Sequence, residues 1–276
     1  SIKEISMSTF YNSERLKYNQ MNYNNDVELD NFCSQCLLVI NAVGPSFKIN
    51  DKIALHALRN NCHYIDIGGY GILRDLLKPY EKSIEAQKLC FIIGVGWMPG
   101  ISGVFSKTII ETHLNSPENT NFNIYYGAVD NWSYSSTYDL AASSMGKTRS
   151  YVYSHGKEIQ VSPFRYTHHK FFPFIGHKKI CMPSFDEQLT QLATSLKQIR
   201  KISTFIMLND YISMGKFMFI KIFYKHNLNK ATLMLQDDYQ RLVKKENKWG
   251  SVICQVSKIE PERKIDTFYY LDPKNN

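Results

Sequence analysis

The chain has 276 residues, 43 % of them hydrophobic and 21 % charged, with a formal net charge of +8 at pH 7. Those values fit a globular protein with a real core and exclude a disordered, collagen-like or disulfide-stapled chain. The excess of 33 Lys and Arg over 25 Asp and Glu suits anionic ligands in general: nucleic acid, a phosphate-bearing cofactor or a carboxylate substrate. No basic block of nucleic-acid type exists, the densest stretch being Lys244, Lys245 and Lys248, so no nucleic-acid partner is expected. No apolar run approaches the ~18 residues of a membrane span; the nearest, Phe217 to Ile220, ends at Lys221. Residues 1–15 are polar and carry no apolar signal core. No membrane association and a cytoplasmic location are therefore expected.

The six cysteines are scattered. Cys33 and Cys36 form a C-x-x-C pair, but no second pair stands at zinc-site spacing. The pair leads into a strand rather than opening a helix after one, as a redox motif does. Reduced, unligated thiols and no metal are the expectation.

In chain order, residues 2–8 read as a strand. Residues 36–41 form a near-continuous apolar strand, the pattern of one buried on both faces. A helix over 46–60 follows, then a strand over 63–67 ending in Gly68 and Gly69. The helical region from Ile72 breaks at Lys78, because Pro79 disfavours helix in the residue before it. Residues 89–93 form a third buried strand, ending in Gly94-Val95-Gly96, and a helix runs over 99–113. Strand and helix alternate three times, which predicts a parallel sheet with crossover helices. The turn-rich residues 115–119 place a boundary between a dinucleotide-type domain, 1–115, and a second domain, 116–276. In the second, strands over 122–132 and 151–159, helices over 186–200 and 231–246, and a terminal hairpin of 249–256 with 266–271 predict an α+β substrate and dimerisation domain.

Ligands of an open parallel sheet bind outside the carboxyl ends of its strands. Three consecutive ends carry turn-forming or small residues: Asn41, Ala42, Val43, Gly44 and Pro45; Gly68 and Gly69; and Gly96, Trp97, Pro99 and Gly100. Glycine permits close backbone approach, and Pro99 suits the first turn of a helix whose free N–H groups favour an anion.

Residues 38–45 (LVINAVGP), 62–69 (CHYIDIGG) and 94–100 (GVGWMPG) together resemble the saccharopine dehydrogenase/reductase-like family in order and interval. The resemblance implies a Rossmann NAD(P) domain, a separate substrate domain and hydride exchange at a C–N bond of an amino-acid-derived or imine substrate. It implies that Asn41 to Pro45 line the path from pyrophosphate to nicotinamide and that Gly96 to Gly100 approach the nicotinamide. Asn22 and Tyr23 match a strand-end position beside the adenine, with Asn22 where the family usually has Asp.

The chain departs from that pattern at its start. No G-x-G-x-x-G loop is present, and residues 2–8 best fit the second strand of a dinucleotide domain, so about 25–30 residues are lacking. Three explanations stand: an omitted segment, a strand supplied by another chain, or a homologue that no longer binds cofactor. Ser8, Thr9 and Arg15 fall by the adenosine ribose; with no acid at Ser8 or Thr9 and Arg15 nearby, NADP is favoured over NAD.

The proton donor carries no motif. Asp130 and Tyr138 follow the first strand of the second domain, and His168 and His169 lie in an aromatic, lysine-rich stretch; these four are the catalytic candidates. The expected function is an NAD(P)-dependent oxidoreductase. The alternative is a non-catalytic interaction or scaffold protein on the same fold. An open sheet edge invites pairing on either reading, so a homo-oligomer is expected.

Overall fold

A computed structural model describes residues 17–68, 71–114, 117–146, 150–224, 226–258 and 264–271. The strand expected over 2–8 lies outside them, as do Ser8, Thr9, Arg15 and Gly69.

Asn25 opens the first helix, α1 (Asp26–Cys33), by accepting hydrogen bonds from the Val27 and Glu28 amides, which satisfies free donors of the first turn. The chain then enters β1 (Leu38–Asn41). Residues 46–60, expected as one helix, divide into α2 (Ser46–Ile49) and α3 (Lys52–Arg59). Asn50 between them takes φ 52°, a left-handed conformation that Asn tolerates singly and a right-handed helix cannot contain. After β2 (His63–Asp66), helix α4 (Gly71–Leu77) stops at Lys78, where Pro79 was expected to stop it. A single 3₁₀ turn (Lys78–Tyr80) and α5 (Glu81–Ala86) lead to β3 (Phe91–Ile93). The three strands form a parallel sheet in the order β1-β2-β3.

One face of this sheet is packed. Val39 and Tyr64 meet Leu29 and Cys33 of α1, Ile53 and Ala57 of α3, and Leu73 of α4. The other face corrects the sequence reading of strands buried on both sides. Ile40 is 61 % exposed, and Leu38 and Ile92 are exposed beside it. Successive strand residues point to opposite faces, and the helices that pack on Val39 and Tyr64 leave Ile40 uncovered.

Helix α6 (Ile101–His113) turns to the second sheet, where Ile109 and Ile110 join its core. That sheet has eight strands. β4 (Thr120–Val129) lies at its centre, antiparallel to β10 (Trp249–Lys258) and parallel to β9 (Lys201–Leu208). β10 pairs with β11 (Ile265–Leu271) in the expected hairpin. Residues 151–159, expected as one strand, are instead the hairpin β5 (Ser150–Ser154) and β6 (Lys157–Val161). It turns at His155 and Gly156, both at positive φ. Beyond the short helix α8 (Pro163–Tyr166), β7 (His168–Phe171) and β8 (Lys178–Pro183) complete the sheet alongside β9.

Phe122, Ile124 and Tyr126 of β4 face a core shared with α6 and with α9 (Glu187–Ser195), which realises the helix expected over 186–200. Tyr125 points the other way and stacks on Phe205, ring centroids 5.1 Å apart. The helix expected over 231–246 is α11 (Leu228–Lys245). Helices α7 (Tyr134–Gly146) and α10 (Tyr211–Phe223) were not foreseen, nor were α1 and α8; α7 and α10 pack with α11 around Leu140, Phe217 and Leu235. Among the described residues no helix is long and apolar enough to cross a membrane.

Candidate functional site

The carboxyl ends of β1 and β2 are cross-tied by side chains. Asn41 Nδ2 donates to Asp66 Oδ2 at 2.7 Å, and the Tyr64 hydroxyl donates to the same oxygen at 2.6 Å. Asn41 Oδ1 accepts the Val43 amide at 3.0 Å, which fixes the turn leaving β1. All three side chains are buried. Burial above all, with Asp66 beside it, raises the Tyr64 hydroxyl well above the ordinary phenol range.

The expected cofactor-path glycines serve the packing of the chain on itself. A Cβ on Gly44 meets Ser135 of α7 at 2.8 Å, one on Gly68 meets Ser46 Oγ, and one on Gly96 meets the Ile67 carbonyl oxygen at 2.6 Å. The Gly96 amide donates to the Pro99 carbonyl, 3.0 Å away, closing the turn ahead of α6. Trp97 turns its ring edge to Tyr270, centroids 5.5 Å apart, and joins the second core. Pro45 and Pro99 both follow cis peptide bonds. Ala42, Val43, Ile67 and Val95 stay exposed.

Each strand-end segment is also held by a side chain from the second half. Asp139 of α7 accepts the Ser46 amide at 2.9 Å and the Phe47 amide at 3.2 Å. Burial raises the Asp139 carboxyl above its ordinary range, and these two hydrogen bonds oppose the rise. Glu187 of α9 pairs with Arg74 of α4 at 2.5 Å, and Gln188 Oε1 accepts the Gly100 amide at 2.8 Å. Asp139→Ala strips both amides of their acceptor, so unfolding in urea is expected to show a loss of about 2 kcal/mol without a change in slope.

Between these contacts lies a cavity of about 640 Å³. Phe47, Ile72 and Met98 wall it from the sheet side, one residue from the segment after each parallel strand; Tyr126, Met182 and Lys221 face them. The wall mixes apolar side chains with serines, two cations, Arg74 and Lys221, and two carboxylates, Asp186 and Glu187. Arg74 is engaged by Glu187 and by Asp75 at 2.9 Å. Lys221, 5.9 Å from the Phe217 ring centroid, has no acidic partner among the described residues, and burial holds its pKa below that of an ordinary lysine. A desolvated cation in a cleft favours a ligand that brings its own negative charge.

None of the four catalytic candidates lines this cavity. Asp130 pairs with Lys248 at 3.2 Å, and Tyr138 lies under the Lys48 ammonium at 4.5 Å from its ring centroid. His168 packs edge-on to Phe205, and His169 Nε2 is 2.8 Å from the Tyr211 hydroxyl. Asn22 and Tyr23 belong to no strand; they sit in the turn before α1, where the Asn22 amide donates to Glu28 Oε2 at 2.8 Å. Among the described residues no group of three or more His, Cys, Asp or Glu is placed to hold a metal. The Cys33 thiol is pushed up to about 11, chiefly by burial, and the Cys62 thiol donates to the Cys33 and Cys36 carbonyls.

Sequence reasoning missed Asp139, Gln188 and Lys221. Asp139 stands on α7 and Lys221 on α10, neither of them foreseen, and Lys221 drew notice only as the charge that ends an apolar run.

Toward a nicotinamide dinucleotide, the described residues fit one end. Val43, Ile67 and Val95 offer one exposed apolar side chain at the end of each parallel strand, a surface suited to a planar ring. They do not offer a cradle for the pyrophosphate. The Ser46 and Phe47 amides are taken by Asp139, and the glycine spaces are filled by Ser135, Ser46 and the Ile67 backbone.

A parallel α/β sheet whose strand ends open on a cleft against a mixed sheet is the arrangement of a Rossmann-like unit set beside an α+β unit. Within that class the chain has a saccharopine dehydrogenase-like fold. Saccharopine dehydrogenase (L-Glu forming) from Saccharomyces cerevisiae superposes with a TM-score of 0.60 over 93 % of this chain and 75 % of the yeast chain, at 14 % identity. A dehydrogenase from Clostridium difficile is similar at a TM-score of 0.35 and 8 % identity over 88 % of this chain and 65 % of its own. No family model and no curated protein matches by sequence.

Proposed function

We propose that the chain is a cytoplasmic, nicotinamide-dependent oxidoreductase of saccharopine reductase-like type, taking NADP or NAD and exchanging a hydride at the C–N bond of an amino-acid-derived or imine substrate. The observation that carries this reading is the cavity itself: Phe47, Ile72 and Met98 bring all three strand-end segments to one cleft against the second sheet, the place where ligands of open α/β sheets bind. A bound nicotinamide supplies the hydride. The chain's own residues do the rest: Val43, Ile67 and Val95 present an apolar edge, Phe47, Met98 and Tyr126 exclude water, and Lys221 holds the substrate's carboxylate.

A second reading is a non-catalytic interaction protein on this fold. The Asp139 carboxylate favours it, because it sits on the amides of Ser46 and Phe47 at the end of the expected cofactor path. Titration of NADPH and of NADH into the folded chain, read by energy transfer from its tryptophans, separates the two. The oxidoreductase reading expects saturable binding of at least one cofactor. A folded chain that binds neither overturns it in favour of the second.

A further inference from the structure

Helix α10 is apolar on the side it shows to solvent. Tyr211, Ile212, Phe219, Ile222 and Phe223 are exposed, the last two at 65 % each, and Gly215 is exposed among them. Positions 212, 215, 219 and 222–223 follow the spacing of a single helix face. Lys216, at the edge of that face, is tied to Asp238 with its Nζ 3.1 Å from the carboxylate, and Lys221, on the far side, lines the cavity. The opposite side of the helix, Ser213, Phe217 and Ile220, is buried.

We propose that this face is the contact between two copies of the chain, α10 of one protomer crossing α10 of the other about a two-fold axis at Gly215. Glycine weakens a helix interior, and here it has no role within one protomer, since a Cβ built on Gly215 meets nothing within 4 Å. Close approach of a second helix backbone gives the missing side chain a purpose, because small residues at a crossing set how near two helices come. The five apolar side chains expose on the order of 500 Å² per copy. That is at the upper end of what monomers leave open and more than half of the ~800 Å² per partner of a stable interface. Leu233, on the adjoining α11, is also exposed.

Charge favours a second copy over a lipid surface. Helices that lie in a membrane interface carry free Lys and Arg on the flanks of the apolar face to meet anionic headgroups, whereas Lys216 is neutralised by Asp238 and Lys221 lines the cavity. An uncharged contact between two protomers of net charge +8 also tightens as salt screens their mutual repulsion; docking on anionic lipid loosens.

Sedimentation equilibrium of the whole chain at low and high salt tests the proposal. A reversible dimer is expected, tighter at high salt. Ile222→Asp and Gly215→Leu are each expected to weaken it at least tenfold, while the thermal midpoint of Gly215→Leu at low protein concentration stays at or above the wild-type value, since Leu at 215 faces open space and is a better helix former. A wild-type chain that stays monomeric at high concentration overturns the proposal. So does a dimer unaffected by both substitutions, which moves the contact to the open face of β1–β3. A monomer that binds phosphatidylserine vesicles through Ile222 overturns it in favour of a membrane surface.

Discussion

Gly100→Ala is expected to cost about 4 kcal/mol, enough to abolish most of a marginal domain's stability. Gly100 sits at φ 128°, ψ −103°, a conformation open in practice to glycine alone. A Cβ there falls into contact with the Gly96 carbonyl oxygen and lies 2.7 Å from the Gly96 nitrogen. Both neighbours are backbone, so no rotamer change relieves the overlap. Relief requires opening the turn, and that breaks the Gly96–Pro99 hydrogen bond and the Gly100–Gln188 hydrogen bond together. Gly176→Ala is the natural control. Gly176 also has positive φ, 80°, but nothing stands within 4 Å of its added Cβ, so only backbone strain is paid, about 1 kcal/mol. Urea midpoints of the two variants measure the difference. Equal losses would mean that the crowding around Gly96 carries no cost.

Lys179→Ala is expected to cost about 3–5 kcal/mol, the range for breaking one partner out of a buried ion pair. Lys179 in β8 has a side chain with no exposed surface. Its ammonium donates to Glu246 Oε2 and Asn209 Oδ1, each at 2.7 Å, and lies 5.1 Å from the Trp249 ring centroid. Burial pulls the Lys179 pKa down and the Glu246 carboxylate holds it up. Truncating the lysine leaves a carboxylate, an amide and an indole face around an empty stem. The double change Lys179→Met with Glu246→Gln removes the stranded charge and keeps volume, so thermal melts should show it recovering to within about 2 kcal/mol of wild type. A double variant as unstable as Lys179→Ala would show that neither the stranded carboxylate nor lost packing accounts for the cost, and that the ion pair and its hydrogen bonds themselves stabilise the fold.

The parallel sheet was legible because its strands are short apolar runs closed by Gly, Asn or Pro, and local sequence alone sets where such a strand stops. The cover over the sheet was not legible. Ile40 and Val39 are equally apolar, and nothing in the run records that helices reach one and not the other. Helix α10 was hidden for a related reason: with Ile212, Met214, Phe217, Met218, Phe219, Ile220, Ile222 and Phe223 around its circumference, it has no polar side to reveal a helical period. Helix α7 failed the opposite way, its Ser and Thr residues burying small side chains such as Thr137 and Ala141. The strand-end segments of the candidate site were readable as loops. Their partners were not, since Asp139 reaches Ser46 across 93 positions of sequence and Gln188 reaches Gly100 across 88, and no local pattern encodes a pairing of that span.

The bare face of β1–β3 has a mechanical consequence for the cleft. Strands of four, four and three residues, packed on one side only, form the kind of unit whose backbone amides trade protons with solvent through small local openings. The opposite wall stands on the ten-residue β4, paired on both sides inside an eight-stranded sheet. The cleft therefore has one stiff jaw and one compliant jaw. Anything that settles between them does its ordering on the compliant side, drawing the strand ends toward a wall that hardly yields.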